Sequence, residues 1–132
     1  GGLGALEGDS SFSEAVAELK RELLSFLISA RRQSRLVAGY GAPGKGNTLL
    51  NYCGVRSDLV AFTVDRNPYK QGRFLPGTHI PIYHPEKIFE TKPDFILILP
   101  WNIKHEIMDQ LSSARKWGAR FVVAIPSLEV IE

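Results

Sequence analysis

The segment that most restricts how this chain can fold runs from Leu36 to Gly54. A short apolar run, Leu36-Val37-Ala38, breaks into a glycine cluster from Gly39 to Gly46, and a helical pattern over Thr48–Cys53 follows, stopped by Gly54. A strand that turns through glycines into a helix is the opening unit of a parallel sheet, because parallel neighbours need a long crossover and the usual crossover is a helix. The remainder of the chain repeats that alternation. Leu59–Val64, Ile80–Tyr83, Phe95–Leu99 and Phe121–Ile125 read as strands, and Leu128–Ile131 as a short edge strand. Phe95–Leu99 is apolar throughout, the mark of a strand covered on both faces. Between these runs, His84-Pro85-Glu86 opens a short helix with proline at its first position. Asn102 is expected to cap a helix whose apolar side is Ile103, Ile107, Leu111 and Ala114 and whose end is Gly118. Upstream, Ser11-Phe12-Ser13-Glu14 has the form of a capping box. Phe12, Val16, Leu19, Leu23, Phe26, Leu27 and Ala30 then recur at helical spacing, which predicts an amphipathic helix of about six turns ending near Arg31–Ser34. The expected fold is a Rossmann-like α/β domain: a parallel or mostly parallel sheet of five to six strands, helices on both faces, and a long amphipathic helix in front.

Composition narrows the function classes. At 132 residues the chain is one domain. Its 16 Lys and Arg against 14 Asp and Glu leave a net charge of +2, which argues against a dedicated nucleic-acid binder. The single cysteine, Cys53, excludes an internal disulfide framework and a cysteine-rich zinc site. The longest apolar run, Phe95–Leu99, is far short of the ~20 residues of a membrane helix. With no basic-then-apolar leader at the start of the sequence, a cytoplasmic setting without membrane contact is expected. Gly1, Gly2 and Gly4, with no initiator Met, lead us to read residues 1–10 as a flexible linker or cloning remnant and 11–132 as the domain proper.

In open α/β sheets ligands bind beyond the carboxyl ends of the strands. Three polar loops stand there: Gly39–Thr48, Asp65–Thr78 and Pro100–Glu106. In the first, Gly39, Gly41 and Gly44 satisfy G-x-G-x-x-G between a strand and a helix, with Asp65 placed 24 residues after Gly41, where a dinucleotide site puts its ribose acceptor. Glycines let backbone amides approach a phosphate, the helix N-terminus adds partial positive charge, and Lys45 supplies a full one. The same loop matches G-x-x-x-x-G-K, but Gly46 stands where a nucleotide hydrolase needs a Mg²⁺-binding hydroxyl. His105-Glu106-Ile107-Met108-Asp109 resembles H-E-x-x-H with the second His replaced, and reads as a solvated helix face with no metal expected. In the second loop, Lys70 and Gln71 are candidates for phosphate or sugar hydroxyls. In the third, Trp101 offers a flat face and Asn102 an amide, each of which can equally serve packing or capping. Cys53 reads as a small buried hydrophobe. No Ser/His/Asp set, carboxylate pair or metal-ligand cluster stands out, so no catalytic residue is expected within the chain.

Taken in order, these loops resemble one family. The first signature is Gly39-Tyr-Gly-Ala-x-x-Lys45-Gly46-Asn-Thr48-Leu-Leu-Asn51. The second is Asp65-x-Asn67-Pro68-x-Lys70-Gln71-Gly72, leading to Pro76-Gly77-Thr78-x-Ile80-Pro81-Ile82. The third is Pro93-Asp94-x-Ile96-x-x-Leu99-Pro100-Trp101-Asn102, with Glu106. Together they are similar to the C-terminal domain of S-adenosylmethionine-dependent C-methyltransferases that act on nucleotide-linked deoxysugars, over about residues 11–131. The resemblance implies that the chain is the C-terminal part of a longer enzyme, with a zinc-binding domain and a methyl-donor-binding domain elsewhere. It also implies that a sugar carbon beside a keto group loses its proton and that the enolate attacks the methyl of S-adenosylmethionine. This domain's implied share is to grip the nucleotide-linked sugar through Gly41, Ala42, Lys45, Gly46, Asn47 and Thr48, through Asp65, Asn67, Lys70 and Gln71, and through Trp101, Asn102 and Glu106. Its implied partners are that sugar and the enzyme's own methyl-donor-binding domain, with no cofactor held in the chain itself. Two other readings stand beside it: a stand-alone nucleotide- or NAD-binding module using Asp65 as ribose acceptor, and a non-catalytic interaction domain.

Overall fold

A computed structural model describes residues 2–132, with side chains from Ser13 onward. Helix α1 spans Gly2–Arg32 and ends where expected, with Arg31 and Arg32 in its last turn at the negative end of the helix dipole. α1 runs through Ser11–Glu14, so the expected capping box does not open the helix; the side chains of residues 1–12, on which the linker reading of 1–10 falls, lie outside those described. Strand β1 (Val37–Tyr40) leads into α2 (Gly44–Cys53), and β2 (Thr63–Val64), β3 (Ile82–Tyr83), α3 (Glu86–Thr91), β4 (Phe95–Ile98), α4 (Lys104–Gln110), β5 (Arg120–Val123) and β6 (Glu129–Ile131) follow.

The six strands form one sheet in the order β3-β2-β1-β4-β5-β6. The first five run parallel and β6 closes the edge antiparallel to β5. The chain builds outward from β1 through β2 to β3, then returns to the other side of β1 with β4. The order therefore reverses between β1 and β4, and the helices that follow them, α2 and α4, pack on opposite layers, so a crevice opens beyond their carboxyl ends. This is the Rossmann-like architecture expected.

Alternation along the strands sorts the core into two layers. Val37, Leu97 and Val122 face α1 and α2, where they meet Leu23, Leu27, Leu50 and Cys53. Ala38, Tyr40, Ile96, Ile98, Phe121 and Val123 face the other side, against Ile88 of α3 and Ile107 and Met108 of α4. β4 is buried from Ile96 to Ile98 because both layers cover it.

Three boundaries differ from expectation. α2 begins at Gly44, not Thr48, since Pro43 in extended conformation launches the helix through residues of low helix propensity. The apolar run from Leu59 enters the sheet late. Leu59 and Val60 donate to Arg56 O in a turn, and hydrogen bonds to β1 begin only at Ala61. Asn102 does not cap α4. It sits exposed in a 3₁₀ turn, Trp101–Ile103, and Ile103 holds the cap position without a side-chain bond. Beyond α4 a second 3₁₀ segment, Ser112–Trp117, carries Ala114 into the core before Gly118 ends it in the left-handed conformation. No helix among the described residues is long and apolar enough to cross a membrane.

Candidate functional site

The loop after β1 is tied down group by group. Gly41 N donates to Val64 O at 2.6 Å, and Thr63 Oγ1 donates to Gly41 O at 2.6 Å. Ala42 N donates to Asp65 Oδ2 at 2.9 Å, and Lys70 Nζ donates to Ala42 O at 2.9 Å. Every backbone polar group of Gly41 and Ala42 is thus satisfied by β2 or the segment after it. Asp65 is itself held: its Oδ1 accepts from Asn67 N at 2.8 Å, and its carbonyl accepts from Gln71 Nε2 at 2.8 Å. Asn67 closes the same turn by accepting from Tyr69 N. Asp65 and Lys70 therefore reach the glycine loop directly, at Ala42, while Asn67 and Gln71 reach it through Asp65.

Three glycines of this loop admit no side chain, and a Cβ on the first, Gly39, would stand 2.8 Å from Thr63 Oγ1. Gly41 has φ +95°, and a Cβ on it would stand 2.8 Å from Pro100 Cδ; a Cβ on Gly46 would stand 2.9 Å from Leu99 Cβ. The close helix-to-strand packing that the G-x-G-x-x-G pattern assigned to Gly44 belongs to Gly46, since Gly44 faces open space. Because α2 comes so close to the end of β4, its first turn and the Pro100–Asn102 segment share one cleft of about 370 Å³, lined by Gly44, Lys45, Trp101 and Asn102. The amides of Gly44, Lys45 and Gly46, first in the helix, have no acceptor among the described residues, and Pro43 supplies no side-chain cap. Lys45 is exposed and makes no ion pair among the described residues. The partial positive charge of the helix start and the ammonium both remain available to an anion.

Asn47 and Thr48 turn elsewhere. Asn47 Nδ2 donates to Pro76 O at 3.0 Å and its Oδ1 accepts from Thr78 Oγ1 at 3.4 Å, while Thr48 Oγ1 donates back to Gly44 O at 2.9 Å. Both brace α2.

Across the crevice, on the α4 side, Gly41, Asp65, Arg66, Pro100 and Glu106 line a second cleft of about 220 Å³. Past Tyr40 and Arg66 it adjoins a larger one of about 640 Å³ reaching His84 and Phe89. Sequence reasoning missed Tyr40, Arg66 and Gln110. Tyr40 read only as a residue within the glycine pattern, and Gln110 lies on the polar side of a helix where nothing marks it. In the fold Tyr40 Oη donates to Gln110 Oε1 at 3.3 Å. Burial pushes the Tyr40 phenol above its usual range, with Arg66 opposing and Asp65 reinforcing the shift, so the hydroxyl stays protonated as a donor. Glu86 N donates to His84 Nδ1 at 3.2 Å. Cys53 is buried away from all three clefts, and burial raises its thiol pKa despite nearby Lys20. Among the described residues no three His, Cys, Asp or Glu side chains gather as a metal site requires.

With this geometry in view, residues 2–126 match the family described as C-methyltransferase C-terminal domain. The chain is 41% identical over 118 residues to the C-methyltransferase NovU of Streptomyces niveus, a match covering 89% of this chain and 27% of that protein. The chain thus spans about a quarter of that relative's length. Among solved structures it is similar to UDP-D-quinovosamine 4-dehydrogenase from Vibrio fischeri, with a TM-score of 0.52 and 17% identity over 74% of this chain and 93% of that one. At that identity the likeness is one of fold.

Proposed function

Because the chain belongs to the C-methyltransferase C-terminal domain family, we propose that it is the part of a longer S-adenosylmethionine-dependent enzyme that grips a nucleotide-linked keto-deoxysugar while a neighbouring domain transfers the methyl group. One observation carries this reading. The three motif segments, far apart in sequence, meet at one carboxyl edge, and two of them border a cleft whose helix-start amides and Lys45 ammonium have no partner among the described residues.

The roles follow from the chemistry of each group. The amides of Gly44–Gly46 and the Lys45 ammonium bind phosphate oxygens, the indole of Trp101 covers an apolar sugar face, and Asn102 reaches hydroxyls. The clefts past Tyr40 hold the remainder of the ligand. Holding the acceptor in one orientation gives the neighbouring domain the proximity on which transfer depends. A ribose diol would look to the acid at the end of β2, and each oxygen of Asp65 has one lone pair engaged by a backbone amide of the loop. We assign S-adenosylmethionine, which supplies the methyl group, to the neighbouring domain, and no catalytic group to this chain. The structural use of Asp65 favours this reading over an NAD-binding module.

Steady-state kinetics of the complete polypeptide test the reading. Lys45→Ala and Trp101→Ala each raise the KM for the nucleotide-linked sugar about tenfold, or ~1.4 kcal/mol, and leave the KM for S-adenosylmethionine unchanged. Unchanged sugar KM and kcat in both variants would overturn it. Calorimetric titration of the chain with NAD should release no heat, and micromolar binding would restore the stand-alone module.

A further inference from the structure

No residue of the second motif segment lines the cleft between Lys45 and Trp101, and Asp65 borders only the one on the α4 side. Lys70 is half-buried, and its ammonium is placed on Ala42 O rather than out towards solvent. Asp65 takes the N–H of the same residue. A cation and an anion thus hold the two polar groups of one residue, Ala42, instead of pairing with each other. The anchor points are themselves hydrogen-bonded: the Asp65 carboxylate accepts from Asn67 N and its carbonyl from Gln71 Nε2, while Gly41 donates to Val64 O and accepts from Thr63 Oγ1. One residue further on, Pro43 takes the N-cap position of α2, and the amides without an acceptor among the described residues follow at once. The direction in which those amides point is set by the peptide planes at Ala42 and Pro43, because each peptide is planar and only two dihedrals per residue can absorb an error.

We infer that Lys70 and Asp65 are positioning residues: they clamp Ala42 so that the first turn of α2 and Lys45 are held in their ligand-binding arrangement before substrate arrives. The inference rests on the reading above for its link to substrate, but the clamp itself is a property of the ligand-free chain. Charged hydrogen bonds suit this task, since they are shorter and stronger than neutral ones. They also avoid the ordering cost that a mobile loop would charge to binding.

Two measurements test it. In the ligand-free chain, Lys70→Met shifts the backbone amide resonances of Gly44, Lys45 and Gly46, and Lys70→Arg, which keeps a charged donor, returns them towards the parent positions. In the complete polypeptide, Lys70→Met raises the KM for the nucleotide-linked sugar five- to tenfold with kcat within twofold, the KM for S-adenosylmethionine is unchanged, and Lys70→Arg recovers most of the loss. Amide resonances that stay in place overturn the clamp, whatever the kinetics do; if KM still rises, Lys70 is a direct ligand contact. Resonances that shift while the sugar KM does not change leave Lys70 shaping the loop but overturn its positioning of substrate. Failure of the Lys45 and Trp101 variants to move the sugar KM, with the amide shifts intact, removes the substrate assignment alone.

Discussion

Gly44 and Gly46 sit two residues apart in the same helical turn, yet the structure asks different things of them. A methyl group on Gly46 would press against Cβ of the buried Leu99 at 2.9 Å and Pro43 Cγ at 3.2 Å. Gly46→Ala should therefore cost about 1–3 kcal/mol of overpacking strain. Nothing stands within 4 Å of a methyl on Gly44, so Gly44→Ala should be neutral or stabilise by up to about 1 kcal/mol through helix propensity. Urea denaturation of the two variants checks the contrast; equal effects would refute the packing argument. The sequence alone marks both as glycines of a turn. Which one packs depends on how closely α2 approaches β4, and that distance is set by residues 53 positions away in the chain. Lys70 and Gln71 illustrate the same limit. A polar residue in a loop has equal chemistry whether it faces a ligand or a carbonyl behind it, and only the path of the neighbouring loop decides.

The secondary elements show where periodicity succeeds. α1 was legible because its apolar residues recur at helical steps and its partner is the sheet, so Leu23 and Leu27 end fully buried in the layer they share with α2. Leu27→Ala should destabilise the chain by about 2–5 kcal/mol, the range for a buried leucine whose cavity collapses only in part. A shift of the urea midpoint equivalent to less than about 1 kcal/mol would mean that α1 is not integral to the core. Element boundaries were less legible. The apolar run from Leu59 signals burial, which Val60 and Phe62 meet, but a turn fixed by Arg56 O postpones the strand. At Asn102 the residue type suits a cap, yet the chain must first turn away from the end of β4, and a 3₁₀ turn does so more tightly than an α-helix.

For the whole molecule, stability should depend on pH through groups in both layers. Burial raises the thiol of Cys53, on the α1–α2 side, and the phenol of Tyr40, on the α4 side. As pH rises the unfolded chain loses these protons first, so the native state binds more and stability falls. The contribution is whole below about pH 8.5, the unfolded thiol value, and is lost as pH passes through the folded values. Urea midpoints followed from about pH 7.5 to 10 should decline, and Cys53→Ala should remove the earlier part of that decline. A variant curve parallel to the parent would assign the decline to other groups.

At this scale the division between sequence and structure is plain. The alternation of apolar runs with amphipathic helices, the strand–glycine–helix opening and the three polar segments at strand ends belong to the sequence by itself, because hydrophobic periodicity and turn chemistry are local properties. The sheet order places β4 beside β1, and that adjacency brings Trp101 to Lys45. It also puts the Lys70 ammonium and an Asp65 carboxylate oxygen on the two backbone groups of Ala42. Those outcomes are decided by tertiary structure alone: they depend on distances between segments dozens of residues apart, and no local preference carries information about them.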